Sequence, residues 1–108
     1  MKLVIAIVQD VDADHLIEEL TKNNFRVTKM STTGGFLKSG NTTLLIGVDD
    51  SEVEALLKLI TNNCKTREVT KIIQTINIPG QAMIPVPIQV RVGGATAFVL
   101  NVEEFKRY

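Results

Sequence analysis

The chain has 108 residues, with 12 lysines and arginines against 12 acidic residues and a formal net charge of zero. That length is one domain, 1–108, which buries about two-thirds of the surface its unfolded chain exposes. The even charge argues against a protein that coats DNA, RNA or an anionic membrane, since such binding rests on basic clusters. Cys64 is the single cysteine, which excludes an intrachain disulfide or a multi-thiolate metal site and fits a reducing, cytoplasmic setting.

The opening MKLVIAIVQD holds a short apolar run followed by an acid. It is too short for a signal peptide core or a membrane span, and Leu3 to Val8 reads as a strand buried on both faces. Asp10 and Asp12 follow as helix-capping candidates. Ala13, Leu16, Ile17 and Leu20 then recur on one helical face. Asn23-Asn24 closes that helix, because asparagine tolerates the left-handed conformation. Phe25 to Thr32 and Thr42 to Val48 are read as the second and third strands.

Asp50-Ser51 begins a second helix, with Ser51 and Glu54 at capping-box spacing. Val53, Leu56, Leu57, Ile60 and Cys64 share its apolar face, so Cys64 is expected in the core. Residues 65–85 form a long connection, in which Pro79-Gly80 between two apolar runs suggests a protruding β-ribbon. Val86, Ile88, Val90 and Val92 alternate as a half-buried strand. Gly93-Gly94 predicts a hairpin turn, with Ala95 to Val102 completing the pair.

The order predicts an α+β, ferredoxin-like β-α-β-β-α-β sandwich with one extra C-terminal strand: an antiparallel sheet with both helices on one face. The other face is then uncovered yet apolar, which predicts oligomerisation.

Catalytic chemistry finds little support. His15, the one histidine, sits among Asp10, Asp12 and Asp14 in what reads as a solvated, acid-rich helix start. No serine occupies a nucleophile elbow, and no His, Cys and acid cluster has metal-ligand spacing. The acylphosphatases, enzymes of similar fold, place a glycine-rich loop and an arginine after the first strand, where this chain reads the acidic QDVDADH. An RNA-recognition module needs aromatics on its central strands, and the first strand has none.

A small-ligand site is better supported. Arg26 and Thr28 project from one strand face and together suit a phosphate or a base edge. They precede the stretch TTGGFLKSGNTT, residues 32–43. There Gly34-Gly35 can turn backbone N–H groups toward an anion, and Phe36 and Leu37 can press on a purine. Asn41 offers a donor and an acceptor, and Gly47, inside a strand, suggests close approach by another group.

NNFRVTKMSTTGGFLKSGNTTLLIGV, together with VGGATAFVL near the C-terminus, resembles the PstA/DarA family, PII-like signal-transduction proteins that bind cyclic di-AMP. The resemblance covers the first two-thirds of the chain and resumes from about Val86. It implies a ferredoxin-like, PII-like homotrimer with three equivalent ligand sites at subunit interfaces and no enzymatic activity. It assigns ligand contact to Arg26, Thr28, Gly35, Phe36, Leu37, Asn41, Gly47 and Phe98, with Asn24, Gly34 and Gly93 as secondary positions. Loops 33–41 and 65–85 are the expected sites of rearrangement, and the downstream protein partner is not specified. The chain departs from the family in REVTKIIQTINIPGQAMIPVP, where members tend to carry Met-Gly-Gly and tyrosines. It departs again at Arg107, where a glutamine is frequent. An ATP or ADP sensor and a ligand-free trimeric scaffold are the competing readings.

Overall fold

The computed structural model describes residues 1–30, 40–74 and 85–108. Its elements run β1 (Lys2–Gln9), α1 (Asp10–Lys22), β2 (Val27–Met30), β3 (Asn41–Val48), a short 3-10 turn, α2 (Val53–Asn63), β4 (Arg67–Gln74), β5 (Pro85–Val92) and β6 (Ala95–Asn101). The fold is α+β, with two antiparallel sheets: β2-β3-β1-β6, and a separate ribbon of β4 and β5.

Alternation along β1 and β3 decides the layering. Val4, Ala6 and Val8 of β1 and Leu44, Ile46 and Val48 of β3 turn to the helices and meet Leu16, Leu20, Leu56 and Ile60. The largest of these, Leu16, Leu20, Leu44, Ile46 and Leu56, are fully buried, each stabilising the fold by about 1.5–3 kcal/mol relative to exposure. Cys64 belongs to the same core, as its place on the apolar face of α2 implies. Burial, then the neighbouring Asp12 carboxylate, push its thiol up to about 11.

Among the described residues the opposite face of the sheet carries no helix. The antiparallel register places Thr28, Leu45, Ile5 and Phe98 in one row across four strands. Gly47, Leu3 and Leu100 make a second row. Leu3, Ile5 and Leu45 are only half-buried, and Phe98 and Leu100 are 51% and 46% exposed. An apolar surface of this kind is unusual on a protein that works as a monomer.

Several local expectations are corrected. The surplus strand is not appended at the C-terminus of the sheet. β6 itself pairs with β1, and the segment read as its hairpin partner, β5, pairs instead with β4. Gly93-Gly94 is therefore a corner between two sheets, with φ of +94° and +92°, conformations a side chain strongly disfavours. The ribbon expected within 65–85 exists, but it is built from 67–74 and 85–92, and Pro79-Gly80 lies outside the described residues.

The caps also differ. Asp10 and Asp12 lie in the first turn of α1, whose cap position is Gln9. Asp10 Oδ1 instead accepts a 2.5 Å bond from Thr42 Oγ1. The capping box of Ser51 and Glu54 does not form, because the 3-10 turn Asp50–Glu52 moves the start of α2 to Val53. Asn24 does adopt the left-handed conformation, φ 66°. β2 spans Val27–Met30, a shorter strand than Phe25 to Thr32; Ser31 and Thr32 lie outside the described residues.

Candidate functional site

Two clefts open on the helix-free side of the sheet, at opposite ends of its strands. The first, about 300 Å³, is lined by Arg26, Thr28, Leu45, Gly47, Met1, Leu3, Val102 and Phe105. Its position follows from the register: the start of β2, the end of β3 and the start of β1 meet there. Arg26 and Thr28 are exposed, so a guanidinium and a hydroxyl face the cleft with an apolar floor of Leu3 and Leu45. At Gly47 an added Cβ would meet nothing within 4 Å inside the chain. Its bare backbone therefore serves no internal packing need, and what it leaves open is the cleft.

The second cleft, about 630 Å³, is lined by Ile7, Gln9, Asn41, Gly93, Gly94, Ala95, Thr96 and Phe98. Here the end of β1, the start of β3 and the start of β6 converge. Phe98 supplies an exposed ring for stacking, and Asn41 and Gln9, opposite one another in register, supply carboxamides. Both volumes lie in the range of small-molecule sites.

Thus the structure brings Arg26, Thr28 and Gly47 together, and separately Asn41, Gly93 and Phe98. It does not bring the two groups together within one chain. On β1 the first cleft reaches Leu3 and the second begins at Ile7, four residue steps or about 13 Å further along the strand, while Leu45 of the first and Phe98 of the second flank Ile5 in register. Asn24, at the end of α1, lines neither cleft. Gly34, Gly35, Phe36 and Leu37 lie outside the described residues.

Among the lining residues that sequence reasoning missed, Phe105 and Gln9 are the most informative. Phe105, 64% exposed, stands in EEFKRY, which has no periodicity to assign it a face. Gln9 was readable in principle, being the next open-face position after Leu3, Ile5 and Ile7. It was passed over as the residue where the apolar run ends.

The second cleft rests on a network of polar contacts. Gly93 N–H donates to Gln9 Oε1 at 2.7 Å, and Gly94 N–H donates to the Cys64 carbonyl at 2.5 Å. Arg67, at the root of the ribbon, holds Asp12 through Nη2 to Oδ1 at 2.7 Å and Nη1 to Oδ2 at 3.4 Å. Asp12 is 4% exposed, and its hydrogen bond raises the pKa of the Arg67 guanidinium still further. Asp10 N–H donates to the Gly40 carbonyl at 2.8 Å, tying the entry to β3 onto the start of α1.

These clefts gather groups of the kind that line small-molecule sites. Among the described residues no group of three or more His, Cys, Asp and Glu could hold a metal, and no helix is long and apolar enough to cross a membrane. His15 is exposed on α1 and lines neither cleft. The class defined is an α+β ligand-binding protein with guanidinium, carboxamide, hydroxyl and aromatic groups set around open glycines.

Comparison with known proteins carries this further. The cyclic-di-AMP receptor family matches over residues 1–108, and the chain belongs to that family. A solved structure from Pediococcus pentosaceus ATCC 25745, described as a functionally unknown protein, is 47% identical. It aligns over 99% of this chain and 96% of its own, with a TM-score of 0.78.

Proposed function

We propose that the chain is a non-enzymatic, PII-like receptor that binds cyclic di-AMP between the subunits of a homotrimer. The observation that carries this reading is the separation of the site residues into two clefts at opposite ends of one apolar sheet face. Among the described residues Arg26 and Thr28 line one cleft and Asn41 and Phe98 the other. Two copies meeting through their open faces bury Leu3, Ile5, Leu45 and Leu100 and can set one copy's first cleft beside another's second. The strand order β2-β3-β1-β6, with both helices on one face, supports reading the chain as a ferredoxin-like sandwich with the β4–β5 ribbon inserted before the last strand.

Cyclic di-AMP has two phosphates and two adenines, which suits a composite site. Arg26 and Thr28 take a phosphate or a base edge, Gly47 leaves room, and Phe98 walls an adenine. The family resemblance adds Gly35, Phe36 and Leu37, which lie outside the described residues. Ligand then shifts a cytoplasmic protein between partner-binding states through its differential affinity for them.

Calorimetric titration of cyclic di-AMP, ATP and cyclic di-GMP into the purified protein tests the reading. Binding of cyclic di-AMP alone is expected, and Arg26→Ala should weaken it about 10- to 100-fold, the loss of one charge-assisted hydrogen bond. Preference for ATP would refute the ligand, and silence in all three titrations would leave a scaffold. A solution mass equal to one chain would refute the composite site.

A further inference from the structure

Gln9 is the last residue of β1 and the last on its open face, half-buried at the edge of the larger cleft. A carboxamide has one accepting end and one donating end. Here the sense is determined: Gly93 N–H donates to Oε1 at 2.7 Å, and a flipped amide would set NH₂ against N–H. Among the described residues the donating end has no hydrogen-bond partner. Asn41, Thr96 and Phe98 line the same cleft, so an entering molecule meets a directed N–H donor there.

The accepting end leads elsewhere. A Cβ on Gly93 would run into the Lys65 carbonyl and stand 2.9 Å from Arg67 Nη1, so the corner lies tightly against the first residues of the ribbon. Gly94 N–H is bonded to the Cys64 carbonyl in the same place. Arg67 in turn clamps Asp12, three positions along the chain from Gln9. Gln9, Gly93, Arg67 and Asp12 thus lie in a ring: Gly93 is bonded to Gln9, lies against Arg67, Arg67 pairs with Asp12, and the first turn of α1 leads from Asp12 back to Gln9. One edge of the ring faces the cleft, and the opposite edge is the root of the β4–β5 ribbon.

We propose that Gln9 is a ligand-binding and positioning residue: its amide nitrogen donates to an acceptor atom of the bound nucleotide while its oxygen holds the corner that seats the ribbon. The proposal rests on the receptor reading above and adds to it a donor and a route. A ligand that draws on the amide at Nε2 acts on the same planar group whose Oε1 fixes Gly93. The seat of the ribbon and the occupancy of the cleft then depend on one another.

The two ends of the amide can be tested apart. Gln9→Glu keeps an oxygen for Gly93 N–H but replaces the donor with negative charge facing a dianion. Gln9→Met keeps the length and removes both functions. Calorimetry with cyclic di-AMP at pH 7.5 should show Gln9→Glu at least about 10-fold weaker than wild type, as expected for one lost hydrogen bond to a charged group. Affinity should recover toward wild type at pH 5, where a glutamate begins to take up a proton. Hydrogen exchange without ligand should be unchanged in Gln9→Glu. In Gln9→Met it should be faster at Gly93, Gly94 and residues 67–70.

Equal binding by wild type and Gln9→Glu at pH 7.5 overturns the donor role. Wild-type exchange rates in Gln9→Met overturn the positioning role. Failure of the wild-type chain to bind cyclic di-AMP refutes the receptor reading together with the donor role, and the ligand-free exchange still decides the positioning role.

Discussion

Replacing Arg67 by methionine should destabilise the fold by about 2–3 kcal/mol, although the side chain lies 41% exposed at the root of a ribbon. Asp12 is the reason. Its carboxylate is 4% exposed in the first turn of α1 and accepts two bonds from the guanidinium, at 2.7 and 3.4 Å. Breaking a fully buried pair by removing one partner costs about 3–5 kcal/mol, because the remaining charge is left without solvent or counter-charge. Here the guanidinium is partly in water, and the space it vacates admits water to one carboxylate oxygen. Both effects discount the cost toward the value of a charge-assisted hydrogen bond, about 1.5–3 kcal/mol. Urea unfolding at fixed protomer concentration gives the number, since self-association would otherwise enter the apparent stability. Asp12→Asn, which keeps an acceptor for Nη2, should lose less than Arg67→Met. A loss below about 0.5 kcal/mol in Arg67→Met, the range of ordinary surface substitutions, would refute the reasoning.

Gly47→Ala should leave the melting temperature nearly unchanged, since its Cβ meets nothing within 4 Å, while weakening cyclic di-AMP binding measurably by calorimetry. Gly93→Ala should do the opposite to stability: φ is +94° and the Lys65 carbonyl stands in the way. A loss of about 1–3 kcal/mol in urea unfolding is expected from the backbone alone. Cys64 gives a pH dependence. Its thiol is raised in the folded chain from 9.0 to about 11, so the folded state favours the protonated form. The associated stability is complete below pH 9.0 and is lost as pH rises toward about 11, at up to about 1.4 kcal/mol per unit. Cys64→Ala, compared with wild type by unfolding across that window, should show a shallower decline.

Local periodicity carried a large part of the fold. The continuous apolar run of β1, the i, i+3, i+4, i+7 faces of α1 and α2, and the core place of Cys64 were legible, because each depends on residues within a few turns of one another. Arg26, Thr28 and Gly47 share a cleft as the sequence suggests, and for a local reason: β2 and β3 are neighbours in both sequence and space, in one antiparallel pair. Family resemblance extended the site to Phe98, which no spacing rule connects to Arg26.

The sequence by itself determined where β1, α1, β3, α2, β5 and β6 lie and which strand face is apolar, whereas β4 fell inside the stretch read as a long connection. Only the tertiary structure decided how the strands pair. β5 and β6, separated by two glycines, have the local pattern of a hairpin, yet they join different sheets. The reason is that β1 offers β6 a full antiparallel register, from Lys2 opposite Asn101 to Val8 opposite Ala95, and no local signal encodes that offer. The same holds for Arg67 and Asp12, which meet across 55 positions, and for the two clefts, set at opposite ends of one face. Contacts between distant segments depend on chain closure around a shared core. Residue types and short-range spacing, which a sequence displays directly, do not specify them.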